Sequence, residues 1–457
     1  MKSRSMDLVE GPLFSGILRY TIPIVLSGVL QLLFNAADLM VVGQFCGSIS
    51  VGAVSSTGAI TNLIVNLFAG LSVGAGVSVA HAVGSRSLEK IHRTVHTAIP
   101  VAFFSGLFLT VVGVLFSKPL LELMGTPADV LPLAATYMTI YFAGIVFTLL
   151  YNFGAAILQA SGDTKSALIY LTGAGILNVI LNLIFVILFH MNVAGVALAT
   201  ILSQALSAIL VIRQLMRRRD SCRFVLRDSH IYWEPLKKMV RIGLPAGIQG
   251  CMFSISNVMI QSSVNSFGSS TFIAGNGASS NIEGFVYTSM NAVSQATVNF
   301  IGQNLGAQRF DRIRKTLRTC FGIVTFLGIA LGGLAYIYGE RLLSFYITDS
   351  PEAIAAGHLR MFYICLPYFV CGLMDVCTGA LRGLGKSLLP MLVSILGVCG
   401  FRILWICTVF QMPRFHTPGV LYSSYIISWI ITFTVQFLLF EISIRRLEKQ
   451  HRDLAAA

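Results

Sequence analysis

Residues 13–42 read LFSGILRYTIPIVLSGVLQLLFNAADLMVV, an apolar run in which only Arg19 and Asp38 carry charge. The run exceeds the roughly 20 residues that an α-helix needs to cross the hydrocarbon core of a bilayer. A charge inside that core costs at least about 2.5–3.5 kcal/mol, even on the most lenient insertion scale. The sequence therefore predicts a membrane helix that keeps the Asp38 carboxylate for a functional reason.

The composition extends this conclusion to the whole chain of 457 residues. It is 55% hydrophobic and only 11% charged, whereas soluble domains carry roughly 25% charged residues. So few polar side chains cannot cover a water-facing exterior, and an integral membrane protein is predicted. The first apolar run is too long for a cleaved signal peptide. The nine cysteines show neither metal-ligand nor disulfide spacing, so we expect no metal site and no cofactor.

Apolar runs of spanning length recur along the chain without the period-two alternation of barrel strands, which favours helices. The twelve predicted spans are 14–42, 51–79, 95–117, 131–158, 166–189, 193–215, 240–267, 275–301, 318–338, 355–380, 388–411 and 418–440.

The basic residues indicate the orientation of these spans. Those assigned to the loops on one side are Lys118, Arg341, Arg360 and Arg414, while Arg402 falls within the eleventh span. All the other Lys and Arg fall on the opposite side, which the positive-inside rule assigns to the cytoplasm together with both termini. The net charge of +13 is thus a topology signal in a multi-pass protein of the plasma (cytoplasmic) membrane, and no nucleic-acid partner is expected.

The two halves of the chain resemble each other. The segment RYTIPIVLSG (19–28) matches RIGLPAGIQG (241–250), and at the same offset VGSRSLEKIHRTVHT (83–97) matches LGAQRFDRIRKTLRT (305–319). The predicted fold is therefore an all-α integral membrane protein with twelve transmembrane helices. They form two six-helix lobes related by a pseudo-twofold axis along the membrane normal, an architecture typical of transporters with a central cleft.

The domain prediction follows from the repeat and from the polar stretch at mid-chain. It assigns residues 1–216 to the N-terminal lobe, 217–238 to a cytoplasmic linker, 239–441 to the C-terminal lobe and 442–457 to a cytoplasmic tail.

Several segments, in this order over almost the entire chain, resemble the multidrug and toxic compound extrusion (MATE) family. They are Pro23 followed by Asp38 in span one, LQASGDTKSAL (158–168), NVILNLIFV (178–186), IGQNLGAQRFDR (301–312) and GALRGLGKSLLPM (379–391). The resemblance implies antiport: export of organic, often cationic, compounds in exchange for H⁺ or Na⁺. A flippase of lipid-linked saccharides, or an exporter of other amphiphilic metabolites, from the same broad superfamily is the alternative.

The resemblance also implies a cation-binding site in the N-terminal lobe, formed by Asp38, Asn152, Asn178, Asn182 and Thr200. Many relatives have a second acid where this chain has Asn182, so the site keeps one formal negative charge. Span seven likewise lacks the glutamate of some relatives.

Elementary chemistry is compatible with such a site. Asn178 and Asn182 are four residues apart and share a helix face, and their amide oxygens could join the Asp38 carboxylate around a hard cation. A proton needs only the carboxylate, so the residues alone leave Na⁺ and H⁺ open. Asparagines also join membrane helices by hydrogen bonding, which is the simpler interpretation of Asn152.

Candidate substrate-cleft residues combine acids with aromatic and soft side chains that bind cations and flat molecules. They are Glu283, Asp375, Phe34, Tyr141, Tyr287 and Met290. Arg402 is the predicted ion-pair partner of one of the two acids. Pro23 is the gating candidate, because proline removes a helix hydrogen bond, although the matching Pro245 equally fits a static kink.

A membrane enzyme using Glu283 and Asp375 as acid and base is a weaker alternative, since a fixed active site does not need a two-lobe repeat. No P-loop motif is present in the sequence. We therefore expect a non-enzymatic, ion-driven transporter, monomeric in the bilayer, with small organic molecules as substrates.

Overall fold

The computed structural model describes residues 6–348 and 350–456, and every regular element within these ranges is helical. The α-helices are α1 (Leu13–Phe45), α2 (Ser48–Gly84), α3 (Leu88–Leu123), α4 (Leu131–Ala143), α5 (Ile145–Ala160), α6 (Thr164–Leu183), α7 (Asn192–Arg217), α8 (Trp233–Asn265), α9 (Ser270–Gly306), α10 (Phe310–Ile337), α11 (Gly339–Ser344), α12 (Pro351–Ile364), α13 (Tyr368–Gly383), α14 (Leu388–Ser394), α15 (Phe401–Cys407) and α16 (Pro418–Ala456). Short π-helical segments follow α6 and connect α14 to α15.

The predicted all-α membrane fold is confirmed. In the described residues, eight helices are long and apolar enough to cross a membrane, and two bent pairs, α4 with α5 and α12 with α13, raise this to ten. The two remaining predicted spans lie in α8 and α9, which at 33 and 37 residues are long enough but more polar. Within two residues at each end, every one of the twelve predicted spans thus corresponds to one helix, to α6 with the π-helical segment that follows it, to one bent pair, or to the broken segment Leu388–Gln411.

Several helices begin where side chains satisfy free backbone N–H groups. Asp163 precedes α6, and its carboxylate accepts from the Ser166 N–H at 3.1 Å and from the Ser166 hydroxyl at 2.7 Å. Ser87, Ser269 and Ser350 cap α3, α9 and α12 in the same way. Because such caps stabilise a helix by about 1 kcal/mol, these polar residues fix the starts of otherwise apolar spans.

The chain divides into two compact units of contacting residues. Within the described chain, unit 1 contains residues 6–7 and 22–247, and unit 2 contains residues 8–21 and 248–456. The divisions fall inside α1 and α8, close to Pro23 in one helix and Pro245 in the other. Both helices therefore contribute one part to each unit.

The internal repeat is visible in the packing of each unit. The bends between α4 and α5 and between α12 and α13 are both 48°. In unit 1, a Cβ added at Gly106 of α3 would lie 2.6 Å from Val146 Cα, and in unit 2 one at Gly328 of α10 would lie 2.6 Å from Phe369 Cα. The two glycines match at the offset of the sequence repeat, so each unit uses the same close helix approach next to the same bend.

A second close approach joins α2 to the first part of α8 within unit 1. Cβ atoms at Gly70 and Gly74 would each lie 2.2 Å from a backbone atom, of Gly247 and Met239 respectively, and one at Gly243 would lie 2.6 Å from Leu71 Cα. Small residues spaced four apart let membrane helices pack backbone to backbone. The crossing therefore depends on glycine in both helices.

The segment between α7 and α8 packs on unit 1. Phe224 is buried in a cluster with α3, α5 and α7. The Val225 N–H donates to His96 Nε2 at 3.0 Å, and the Tyr232 N–H donates to Thr97 Oγ1 at 3.1 Å. Two consecutive side chains of α3 thus accept hydrogen bonds from two backbone N–H groups of this polar segment.

We predict that Gly328→Ala lowers the thermal midpoint of unfolding in detergent. The new methyl group overlaps the Phe369 backbone, and overpacking of this kind costs about 1–3 kcal/mol. The control is Gly322→Ala on the same helix, where an added Cβ meets nothing within 4 Å. There, replacing a helical glycine stabilises by up to about 1 kcal/mol. Equal midpoints for the two variants would contradict the close approach.

Candidate functional site

The Asp38 carboxylate lies in unit 1 against α6. Its Oδ1 accepts a 2.5 Å hydrogen bond from Asn182 Nδ2, which also donates to Asn178 Oδ1 at 3.4 Å. Asn178 and Asn182 are buried, and Asp38 is half-buried. The i, i+4 spacing predicted that the two asparagines share a face, and the structure brings that face to α1 at Asp38.

The orientation of Asn182 leaves an oxygen available. An ionised carboxylate only accepts hydrogen bonds, so the Asn182 amide presents its NH₂ group to Asp38. Its Oδ1 is buried and has no hydrogen-bond partner in the described part of the chain. A buried acceptor without a partner is costly. The Asp38 carboxylate could hold a proton by itself, or a Na⁺ ion with amide oxygens of the neighbouring asparagines as further ligands.

Aromatic rings lie beside this group. The Phe34 ring lies directly over Gly175 of α6, where an added Cβ would be 1.7 Å from the ring. Tyr137 and Tyr141 of α4 stack with centroids 6.4 Å apart, and Tyr137 is close enough to Asp38 to interact electrostatically. Neither Gly175 nor Tyr137 was among the predicted site residues. Only the four-residue spacing of Tyr137 from Tyr141 could have suggested it.

Two predicted ligands take no part in this contact. The Thr200 hydroxyl donates to the Val196 carbonyl of its own helix at 2.9 Å. Asn152 is half-buried on α5, and no hydrogen bond among the described residues joins it to the Asp38 carboxylate. The structure thus gathers Asp38, Asn178 and Asn182 and leaves the other two outside the hydrogen-bonded group.

Pro23 is buried within α1, which continues through it as one helix. The Ser27 hydroxyl donates to the Pro23 carbonyl at 2.8 Å. Because proline has no N–H, it cannot complete the helix bond to the carbonyl of Arg19. The helix is therefore weakened next to the point where the chain passes from unit 2 to unit 1.

In unit 2, Glu283 is fully paired. Arg360 donates through Nε and Nη2 to the two carboxylate oxygens of Glu283, at 2.8 and 2.7 Å. Arg360 Nη1 donates to Asn276 Oδ1 at 2.7 Å, and the Ser279 hydroxyl donates to Glu283 Oε1 at 3.0 Å. The expectation that Arg402 pairs with one of the acids is wrong for Glu283. Arg360 had been assigned to a loop, whereas it lies buried inside α12.

Asp375 is buried without an ion pair among the described residues. Its Oδ2 has no hydrogen-bond partner there, while its carboxylate interacts with the Tyr287 side chain and with the charge of Arg382. Arg382 Nη2 donates to Gln249 Oε1 at 2.9 Å. Met290, another cleft candidate, is fully buried with its sulfur against Gly372 of α13, so it packs as a core residue.

One cluster has the composition of a metal site, although no metal was expected. Ligand atoms of His92, His96 and Asp228 lie within 4.8 Å of one another. His96 Nε2, however, accepts from the Val225 N–H, and its Nδ1 is bonded to the His92 carbonyl at 2.8 Å. Both ring nitrogens are thus occupied, and the cluster attaches the segment between α7 and α8 to α3.

A helical protein with many spans, built as two repeats that each hold acidic side chains inside the membrane, belongs to the class of membrane transporters. The family model described as MatE matches residues 23–184 and again residues 245–409. The two matches start at Pro23 and Pro245 and reproduce the internal repeat. The chain belongs to the MATE family of multidrug efflux transporters.

Individual relatives agree with this assignment. The chain is 27% identical over 391 residues to the probable multidrug resistance protein YoeA of Bacillus subtilis (strain 168), covering 84% of each chain. It is 27% identical to the FAD transporter of Shewanella oneidensis, covering 88% of this chain and 89% of that protein. A solved outward-facing multidrug resistance MATE family transporter of the MOP superfamily superposes with a TM-score of 0.90 at 21% identity. The match covers 98% of this chain and 100% of that one, and it confirms the twelve-span, two-lobe fold.

We predict that Glu283→Gln lowers the thermal midpoint, because it leaves Arg360 buried without a counter-charge at a cost of about 3–5 kcal/mol. Adding Arg360→Met should recover most of the loss, since an apolar replacement of a whole buried ion pair is often neutral. Glu340→Gln, at an exposed acid of the same unit, is the control. An unchanged midpoint for Glu283→Gln would show that the pair does not support the fold.

Proposed function

We propose that this chain is a secondary antiporter that exports organic, often cationic, compounds in exchange for H⁺ or Na⁺. It would work by alternating access of its two six-helix lobes, in the cytoplasmic membrane, with both termini in the cytoplasm and as a monomer. The observation that carries the proposal is the Asp38 carboxylate, held by Asn182 next to an amide oxygen without a partner.

Asp38 is suited to couple two gradients because it can be neutralised in either of two ways. A proton bound to the carboxylate removes its charge, and a Na⁺ ion compensates it with the nearby amide oxygens as further ligands. In both cases the ion alters the contact between α1 and α6 at Asn182. The same α1 contains Pro23, so a change at Asp38 can be absorbed as a change in the bend of one helix.

The residues near Asp38 favour organic cations as the exported compounds. The described polar group of unit 1 contains one acid and no basic partner, and the stacked Tyr137 and Tyr141 rings offer surfaces for flat cations. The alternative, export of an amphiphilic or anionic metabolite, is favoured by the relative named FAD transporter. No cofactor is part of the proposal, because ion exchange alone supplies the energy.

The decisive experiment measures ethidium export from proteoliposomes under an imposed ΔpH or ΔNa⁺. We expect wild-type protein to respond to one of the two gradients, which identifies the ion. Asp38→Asn should reduce this gradient-driven export at least about tenfold, the size of a typical coupling energy.

The control for that experiment is Asp129→Asn, at an exposed acid in the loop before α4 of the same unit. It should transport like wild type. Full gradient-driven export by Asp38→Asn would place the coupling site elsewhere. A wild-type protein that moves no organic compound under either gradient would refute antiport altogether.

A separate prediction concerns Pro23. Pro23→Ala restores a helix hydrogen bond worth about 1 kcal/mol, which favours the unbent helix and should slow turnover about fivefold. Because ion binding at Asp38 is proposed to change the same bend, the affinity for the coupling ion should shift by no more than about the same factor. Pro119→Ala, within α3, is the matched proline control. Unchanged turnover would mean that Pro23 is a static kink.

A further inference from the structure

Arg402 of α15 is a buried cation without a carboxylate partner. Its residue is 4% exposed, and the carboxylates in the described chain form no ion pair with it. Removing a charge from water costs several kcal/mol unless hydrogen bonds and an opposite charge compensate it. Of the two acids that could serve, Glu283 has both oxygens bonded to Arg360, and the charge that acts on Asp375 is that of Arg382.

The guanidinium of Arg402 is held in place on one edge only. Its Nε donates to Ser428 Oγ at 3.1 Å, and the Ser428 hydroxyl donates to the Tyr425 carbonyl at 2.8 Å. Among the described residues, no acceptor takes the two terminal NH₂ groups. Arginine presents these groups as a planar fork that matches carboxylate and phosphate oxygens.

Aromatic rings surround this fork. The Arg402 guanidinium carbon lies 4.0 Å from the Tyr425 ring centroid and 5.8 Å from that of Trp429. Trp429 stacks on Tyr368 with centroids 5.5 Å apart. Arg360 also lies 5.9 Å from the Tyr425 ring. Around Tyr425 there are thus two guanidinium groups and one carboxylate, and the excess charge is positive.

We propose that Arg402 is the anchor of an anion-binding subsite in unit 2, which takes the carboxylate or phosphate group of a planar aromatic compound. The free NH₂ groups bind the anionic oxygens, and the Tyr425 and Trp429 rings contact the aromatic part. Ser428 is a positioning residue that orients the fork through Nε. The inference rests on the proposed function, because such a compound would be a transported substrate. It adds that this substrate carries an anionic group.

The test compares three probes that share one ring system: naphthoate, naphthyl phosphate and naphthylmethylammonium. Their binding to purified full-length protein is measured by calorimetry. We expect wild type to bind at least one of the two anions. Arg402→Gln should lower the affinity for that anion about tenfold or more, as expected for the loss of charge-assisted hydrogen bonds. The affinity for the ammonium probe should change by less than about threefold. Arg341→Gln, an exposed site on α11 with the same charge change, should bind all three probes normally.

The thermal midpoint without probe separates this subsite from a purely structural role. Removing an uncompensated buried charge should leave the Arg402→Gln midpoint unchanged or raise it. A lower midpoint together with equal loss of all three probes would make Arg402 a structural cation and overturn the proposal. Ser428→Ala keeps the charge and the fold and should weaken the anions alone, so the proposal stays testable if Arg402→Gln does not fold.

The remaining outcomes identify the anionic group that binds or show that the subsite does not exist. Binding of naphthoate alone assigns a carboxylate, and binding of naphthyl phosphate alone assigns a phosphate monoester. Wild-type protein that binds neither anion overturns the subsite, even if ethidium export is normal. Anion binding in a protein that exports nothing would instead refute antiport and leave the subsite standing.

Discussion

Hydrocarbon offers no hydrogen bonds, and this constraint governs the structure from the backbone to the charged side chains. Because each backbone N–H and C=O must be satisfied within the protein, the described spans are helical. Without water, helices associate by close packing of small residues, as at Gly106, Gly328 and the crossing of α2 with α8. Any charge left inside must find a partner or serve a function.

The two units meet this last requirement in different ways. Among the described residues, the predicted spans of unit 1 contain one carboxylate, Asp38, which accepts a hydrogen bond from the amide of Asn182. Unit 2 contains the complete Glu283–Arg360 pair, and in addition Asp375 and Arg402, which form no ion pair among the described residues. Unit 1 is therefore suited to bind a cation reversibly. Unit 2 combines a neutral ion pair with one acid and one base that are not paired with each other.

The two halves of the repeat share their close helix contacts but differ in their charged residues. Gly106 and Gly328 approach their neighbours in the same way, next to equal bends. Asp38, by contrast, corresponds to Ile260, which is buried in α8. Glycine contacts are needed wherever two backbones meet, so they persist in both copies. A carboxylate stabilises neither copy, so it is kept only where it has a function.

The sequence by itself determined the membrane location, the all-helical class, the twelve spans and the repeat, because each depends on local hydrophobicity and length. It also marked Asp38, because an acid in an apolar run is a local signal. Asn152, Asn178, Asn182 and Thr200 were proposed as its partners through the resemblance to the MATE family. Only the tertiary structure decided which charges meet. Thr200 donates to the Val196 carbonyl of its own helix and not to the site. Arg360 rather than Arg402 pairs with Glu283, and Tyr137 lies near Asp38, because these contacts join helices whose relative rotation no local pattern encodes.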